Sequence, residues 1–138
     1  MEDFVTFEIA KKLKEKGFMQ KVVYYYNEKG KVNVYKSYTI GNIEHSWLDF
    51  RTNKNMCESS PWCDAPTISQ VLKWLREEKD IDLVINPVFF YDDDLCRMRE
   101  YGCKVFAPLL NKPEHCGYHE EWEQAALAGI EYVLDNLI

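Results

Sequence analysis

The chain has 138 residues, 46% of them hydrophobic and 14% aromatic, with 17 basic side chains against 23 acidic ones for a formal net charge of −6. That length fits one folded domain whose core needs no disulfide staples, and the apolar content excludes a disordered chain. The acidic balance argues against non-specific nucleic-acid binding and against anionic membrane surfaces, since both need clustered Lys and Arg.

No apolar run reaches the roughly 18 residues of a membrane-spanning helix. The start, Met1-Glu2-Asp3-Phe4, is acidic where a secretory signal is basic, so a cytoplasmic location is expected. Five cysteines, an odd number, read as reduced thiols packed as small apolar side chains.

The first expected element is a helix from about Thr6 to Lys16, where Val5, Ile9 and Leu13 recur at a spacing of four. Gly17 stops it, and Phe18 is expected to fold back onto Leu13 in a Schellman ending. A hairpin follows, Val22–Tyr26 against Val32–Tyr38, turning through Asn27-Glu28-Lys29-Gly30. Residues 39–65 carry no clear pattern: either Trp47-Leu48-Asp49-Phe50 forms a strand there or the segment is a mobile excursion.

The second helix opens at Pro66 and Thr67, with Thr67 and Gln70 matching a capping box. Ile68, Val71, Leu72 and Leu75 form its apolar stripe, and Trp74 lies off it. Ile81–Ile85 begins a strand that Pro87–Tyr91 would extend, with Pro87 implying an edge or a bulge. Asp92-Asp93-Asp94 reads as a turn, Cys103–Ala107 as the returning strand and residues 108–117 as a connecting loop. The last helix runs from about Glu120 to the end, with Trp122, Ala126, Ile130, Val133 and Leu137 on one face. Ala125, Ala126, Ala128 and Gly129 leave room on it for close approach. The order α-β-β, a loop or strand, then α-β-β-α implies an α+β fold. Its sheet would be mainly antiparallel, with helices on one face.

Three stretches, Thr6–Phe18, Ala65–Glu78 and Glu123–Leu134, carry a resemblance. The second includes Pro66-Thr67, Gln70 and Trp74-Leu75-Arg76-Glu77, and the third is the Ala-rich closing helix. In this order they resemble a group of small uncharacterised proteins from gut Bacteroidales and their phages or prophages. The resemblance implies a bacterial or phage cytoplasm and an α+β fold, and it brings no catalytic residues with it. By topology alone, the α-β-β-α portion is similar to double-stranded-RNA-binding domains, although the acidic charge and the missing basic helix-end motif depart from them.

Catalytic and cofactor patterns are absent: there is no Gly-rich phosphate loop, Gly-x-Ser-x-Gly elbow or His-Glu-x-x-His motif. Cys57, Cys63, Cys116 and His119 would make a zinc site only if two loops met, and none of them has the tight ligand spacing of such sites. Unliganded loop thiols are the simpler reading. The aspartates at 92–94 lack EF-hand spacing and read as a solvated turn.

Aromatics are the residue class most out of proportion. Consecutive strand residues face opposite ways, so Tyr24, Tyr25, Tyr26, Tyr35 and Tyr38 cannot all face one core. With Trp47 they are the expected interaction residues, unless a second layer of the same domain covers them. The expected function is a non-enzymatic protein-interaction or self-association module with no cofactor. The alternative is a nucleic-acid-associated accessory protein, which a stripe formed by Lys11, Lys14, Lys73 and Arg76 would favour.

Overall fold

A computed structural model describes residues 3–34, 37–40, 43–46 and 61–138. The fold is α+β, and the chain divides into two compact units, Met1–Thr67 and Ile68–Ile138. Among the described residues no helix is long and apolar enough to cross a membrane.

The first unit opens with α1 (Phe7–Glu15), capped by Thr6, whose hydroxyl accepts the Ile9 N–H at 3.3 Å. Ile9, Ala10 and Leu13 form its buried face. The helix ends as its sequence predicts. Gly17 takes φ +86°, the Phe18 N–H donates to the Leu13 carbonyl at 2.9 Å, and the Gly17 N–H donates to that of Lys14 at 3.3 Å. The turn tucks the Phe18 ring fully inside. A Cβ added at Gly17 would meet nothing within 4 Å, so only the backbone conformation opposes a side chain there. Gly17→Ala is therefore expected to cost about 1 kcal/mol in a urea titration.

Strand β1 (Tyr24–Tyr26) is central, pairing antiparallel with β2 (Val32–Val34) and with β5 (Cys63–Asp64). The turn from β1 to β2 is built by Asn27, whose side-chain oxygen accepts the Lys29 and Lys31 amides at 2.9 and 3.0 Å. Gly30 closes it at φ +75°. A separate hairpin joins β3 (Ser37–Ile40) to β4 (Ile43–Ser46). The stretch that showed no pattern in sequence thus contains the second half of β3 and all of β4 and β5. The strand expected at Trp47–Phe50 lies outside the described residues.

The second unit runs α2 (Ile68–Glu78), β6 (Asp82–Tyr91), β7 (Arg97–Phe106), β8 (Glu114–His119) and α3 (Trp122–Asn136). Its strands form one antiparallel sheet in the order β6-β7-β8. Pro87 sits on the edge strand without interrupting the ladder, as a residue with no N–H to donate must.

Two expectations need correction here. In α2 the large buried side chain is Trp74, with Ile68, Val71 and Leu75, while Leu72 is only half-buried. The buried face is rotated towards Trp74 because the indole offers far more apolar area. The 108–117 loop is shorter than expected, since Glu114 already starts β8.

Helix α3 lies on the sheet through its small residues. A Cβ on Gly129 would come within 2.5 Å of Cys103 Sγ and 2.6 Å of Leu83 Cδ2. Strand alternation then puts Leu83, Ile85, Cys103 and Val105 on the helix side, and Val84, Lys104 and Phe106 on the open side.

Candidate functional site

Of the hairpin tyrosines expected to be interaction residues, Tyr24, Tyr25 and Tyr26 make contacts within their own unit. Tyr26 is buried, and its hydroxyl donates to the Val5 carbonyl at 2.5 Å. Tyr24 is half-buried, with its ring edge-on to Phe4 at 4.9 Å. Tyr25 stacks on Trp62 at 5.3 Å, and the Trp62 Nε1–H donates to Glu28 Oε2 at 2.6 Å. The Glu28 carboxyl is held below its usual range by its own backbone amide first and by this indole N–H second. The hairpin face bearing Tyr25 is thus partly covered by Trp62, arriving from the far end of the 39–65 segment. Tyr38 lies on β3, paired with His45, and Tyr35 and Trp47 fall outside the described residues.

The metal candidates are distributed between the units. Cys63 lies on β5 in the first, Cys116 and His119 lie on β8 in the second, and Cys57 is outside the described residues. Among the described residues no group of three or more His, Cys, Asp or Glu side chains could hold a metal ion.

Strand β8 bulges at this point. Gly102 faces Tyr118 and Lys104 faces His115, so Cys116 and Gly117 together oppose Cys103, with Gly117 at φ +84°. The bulge turns the histidines towards the backbone. His115 Nδ1 accepts the Gly117 N–H at 3.1 Å, and His119 Nε2 lies 3.1 Å from the Cys116 carbonyl.

The buried thiols Cys63 and Cys103 are poor nucleophiles for a physical reason. Burial pushes Cys63 up to about 11 and Cys103 up to about 12, the latter with a further push from its hydrogen-bonded neighbour Cys116. A thiol that keeps its proton at neutral pH neither attacks nor ligates readily. Both groups hold that proton more tightly folded than unfolded. The stability this confers is complete below about pH 9 and is lost as pH rises towards about 11 and about 12. Thermal melting is expected to fall steeply above about pH 9, and less steeply in Cys103→Ala. At neutral pH a thiol reagent should label exposed Cys96 at once and spare Cys63 and Cys103, read by peptide mass.

The largest exposed apolar group of the described residues lies elsewhere. Strands β6 and β7 each run ten residues, or roughly 33 Å. The six-residue β8 pairs with β7 only between Tyr101 and Val105. Beyond that point β6 and β7 continue as a two-stranded ribbon in which Val88, Phe89, Phe90 and Tyr91 oppose Glu100, Arg99, Met98 and Arg97.

Both faces of the ribbon are open. Phe89 is 51% exposed, Phe90 39%, Tyr91 71% and Met98 43%. At its tip the Asp92 carboxylate accepts the Asp94 and Cys96 amides at 3.0 and 2.8 Å, and Leu95, at φ +57°, is 80% exposed.

The two faces differ chemically. One carries Val88, Phe90, Met98 and Glu100. The other carries Phe89, Tyr91, Arg97, Arg99 and Tyr101, with the Arg97 guanidinium 4.3 Å from the Phe89 ring centroid and that of Arg99 5.3 Å from Tyr101. Sequence reasoning missed this surface. The signal for it was Pro87-Val88-Phe89-Phe90-Tyr91, an apolar run filling both faces of a strand and followed by a polar return.

Scans against protein-family models, curated proteins and solved structures found no match to the chain.

Proposed function

We propose that the chain is a cytoplasmic, non-enzymatic protein-interaction module of a small bacterial or phage protein, engaging a protein partner or a second copy through the β6–β7 ribbon. The observation that carries this reading is the exposure of large apolar side chains on both faces of a two-stranded ribbon. A ribbon of two strands is marginal by itself in water, and contiguous exposed apolar residues mark contact surfaces.

The test is affinity capture from the native host with the wild-type chain and with Phe89→Ser/Phe90→Ser, alongside light scattering of each purified protein. A partner or a dimer present for wild type and absent for the variant supports the reading. Identical recovery and identical mass for both would sink it.

A second reading draws on the order α2-β6-β7-β8-α3. This is an α-β-β-β-α unit with an antiparallel sheet, similar in topology to double-stranded-RNA-binding domains. Its ribbon tip carries Asp92, Asp93 and Asp94, and α3 is preceded and entered by Glu120, Glu121 and Glu123. Those charges oppose phosphate contacts, so the protein partner is favoured. Retardation of a double-stranded RNA at moderate salt would reverse that order.

A further inference from the structure

Resting on the protein-interaction reading, we infer that the arginine–aromatic face of the ribbon is a docking site for a short, extended protein segment that turns both carboxylates and apolar side chains towards that face. Among the described residues neither Arg97 nor Arg99 makes an ion pair, although acidic side chains outnumber basic ones in the chain by 23 to 17 and three aspartates form the ribbon tip. Each guanidinium instead lies over a ring of its own ribbon, Arg97 over Phe89 and Arg99 over Tyr101. A guanidinium placed over a ring keeps N–H groups for a carboxylate, and the ring restricts the rotamers that binding would otherwise have to freeze.

Strand periodicity puts Phe89, Tyr91, Arg97, Arg99 and Tyr101 on this one face. From Arg97 to Tyr101 the site spans about 13 Å, the length of about four extended residues. A segment of that length turns every second side chain to this face, so a carboxylate that meets the arginines and an apolar group that lies on Phe89 or Tyr91 stand two residues apart.

Charge complementarity selects this occupant over the others. A second copy seated by the same face would bring four arginines together. A nucleic acid needs more cations than two, and here it would meet the phosphate-repelling Asp92–Asp94 tip. The partner carboxylates are therefore few, and the apolar side chains between them supply the rest of the contact.

The probe is a fluorescein-labelled octapeptide of two Glu-Ser-Leu-Ser repeats, which puts its glutamates and leucines on one face of the extended chain. It is compared with the peptides carrying lysine or serine in place of glutamate and with an oligodeoxythymidylate of similar length, by anisotropy and by amide shifts in the full chain. The glutamate–leucine peptide is expected to bind best, to shift amides in 87–91 and 97–101, and to weaken with salt. Arg97→Glu/Arg99→Glu should weaken it about tenfold or more, and Arg97→Gln/Arg99→Gln by less, with melting temperatures unchanged because both side chains are exposed.

Equal binding of the serine peptide, preference for the oligonucleotide, or indifference to both arginine variants would each overturn the inference. In capture from the host, a partner lost on Phe90→Ser/Met98→Ser but kept on Arg97→Glu/Arg99→Glu overturns this inference and leaves the interaction module standing. A partner kept by both variants overturns the two together.

Discussion

Replacing Gly129 with valine is expected to lower the stability of the second unit by about 3 kcal/mol, the largest effect available to a single added side chain there. The first added carbon would already overlap Cys103 Sγ at 2.5 Å and Leu83 Cδ2 at 2.6 Å. Leu83 can swing its tip aside, but Cys103 is fully buried on the central strand of its sheet and has nowhere to go. Helix propensity works the other way, favouring alanine over glycine by about 1 kcal/mol.

Gly129→Ala should therefore lose less than Gly129→Val. Adding Cys103→Ala to Gly129→Ala should recover part of the loss, because the two changes share one contact. Urea unfolding with amide exchange at Leu83, Ile85 and Val105 reads the effect. A Gly129→Val chain as stable as wild type would mean that α3 does not sit on the sheet at this point.

The elements most legible in the sequence were those whose signals are local. Gly17 and Phe18 announced the C-terminal end of α1 because capping depends on residues within one turn of the helix. The small residues Ala125, Ala126 and Gly129 announced a close approach, and α3 makes it. What escaped was set by distant partners. The return strand was expected from Cys103, yet β7 begins at Arg97. Arg97-Met98-Arg99-Glu100 carries no strand propensity of its own and is held extended by its ladder with Val88–Tyr91. β8 was hidden for a related reason, since Glu114-His115-Cys116-Gly117-Tyr118-His119 is polar and interrupted by the bulge glycine.

The same limit explains the candidate surface. Tyrosine-rich β1 looked exposed because alternation sends its rings to both faces. Whether a second layer covers them depends on Phe4 and Trp62, which are distant in sequence. The β6–β7 ribbon was expected only as a strand and its return, with Pro87 implying an edge or a bulge, because nothing local says that β8 stops short of it. Burial is decided by the lengths of neighbouring elements, and a sequence read one element at a time does not contain those lengths.

Phe18→Ala is expected to cost about 3–5 kcal/mol, well above the loss at neighbouring Gly17. Phe18 is the largest of the fully buried side chains and is buried with Val5, Leu13 and Val22. Its backbone is already fixed by the N–H that donates to the Leu13 carbonyl, so truncation leaves the Schellman turn in place and removes only the ring. The loss then consists of the transfer free energy of the aromatic side chain and the cavity it leaves behind.

Comparing the two variants separates the turn from the packing it positions. Gly17→Ala strains the turn but retains the ring, whereas Phe18→Ala retains the turn and empties the site. Amide exchange should show α1 protection, from Ile9 to Leu13, falling far more in Phe18→Ala than in Gly17→Ala. Equal losses would assign the stability of this helix end to backbone geometry rather than to the buried ring. In a first unit whose described strands are two to four residues long, the ring should dominate, because so few ladder hydrogen bonds can hold the sheet without a packed core beneath it.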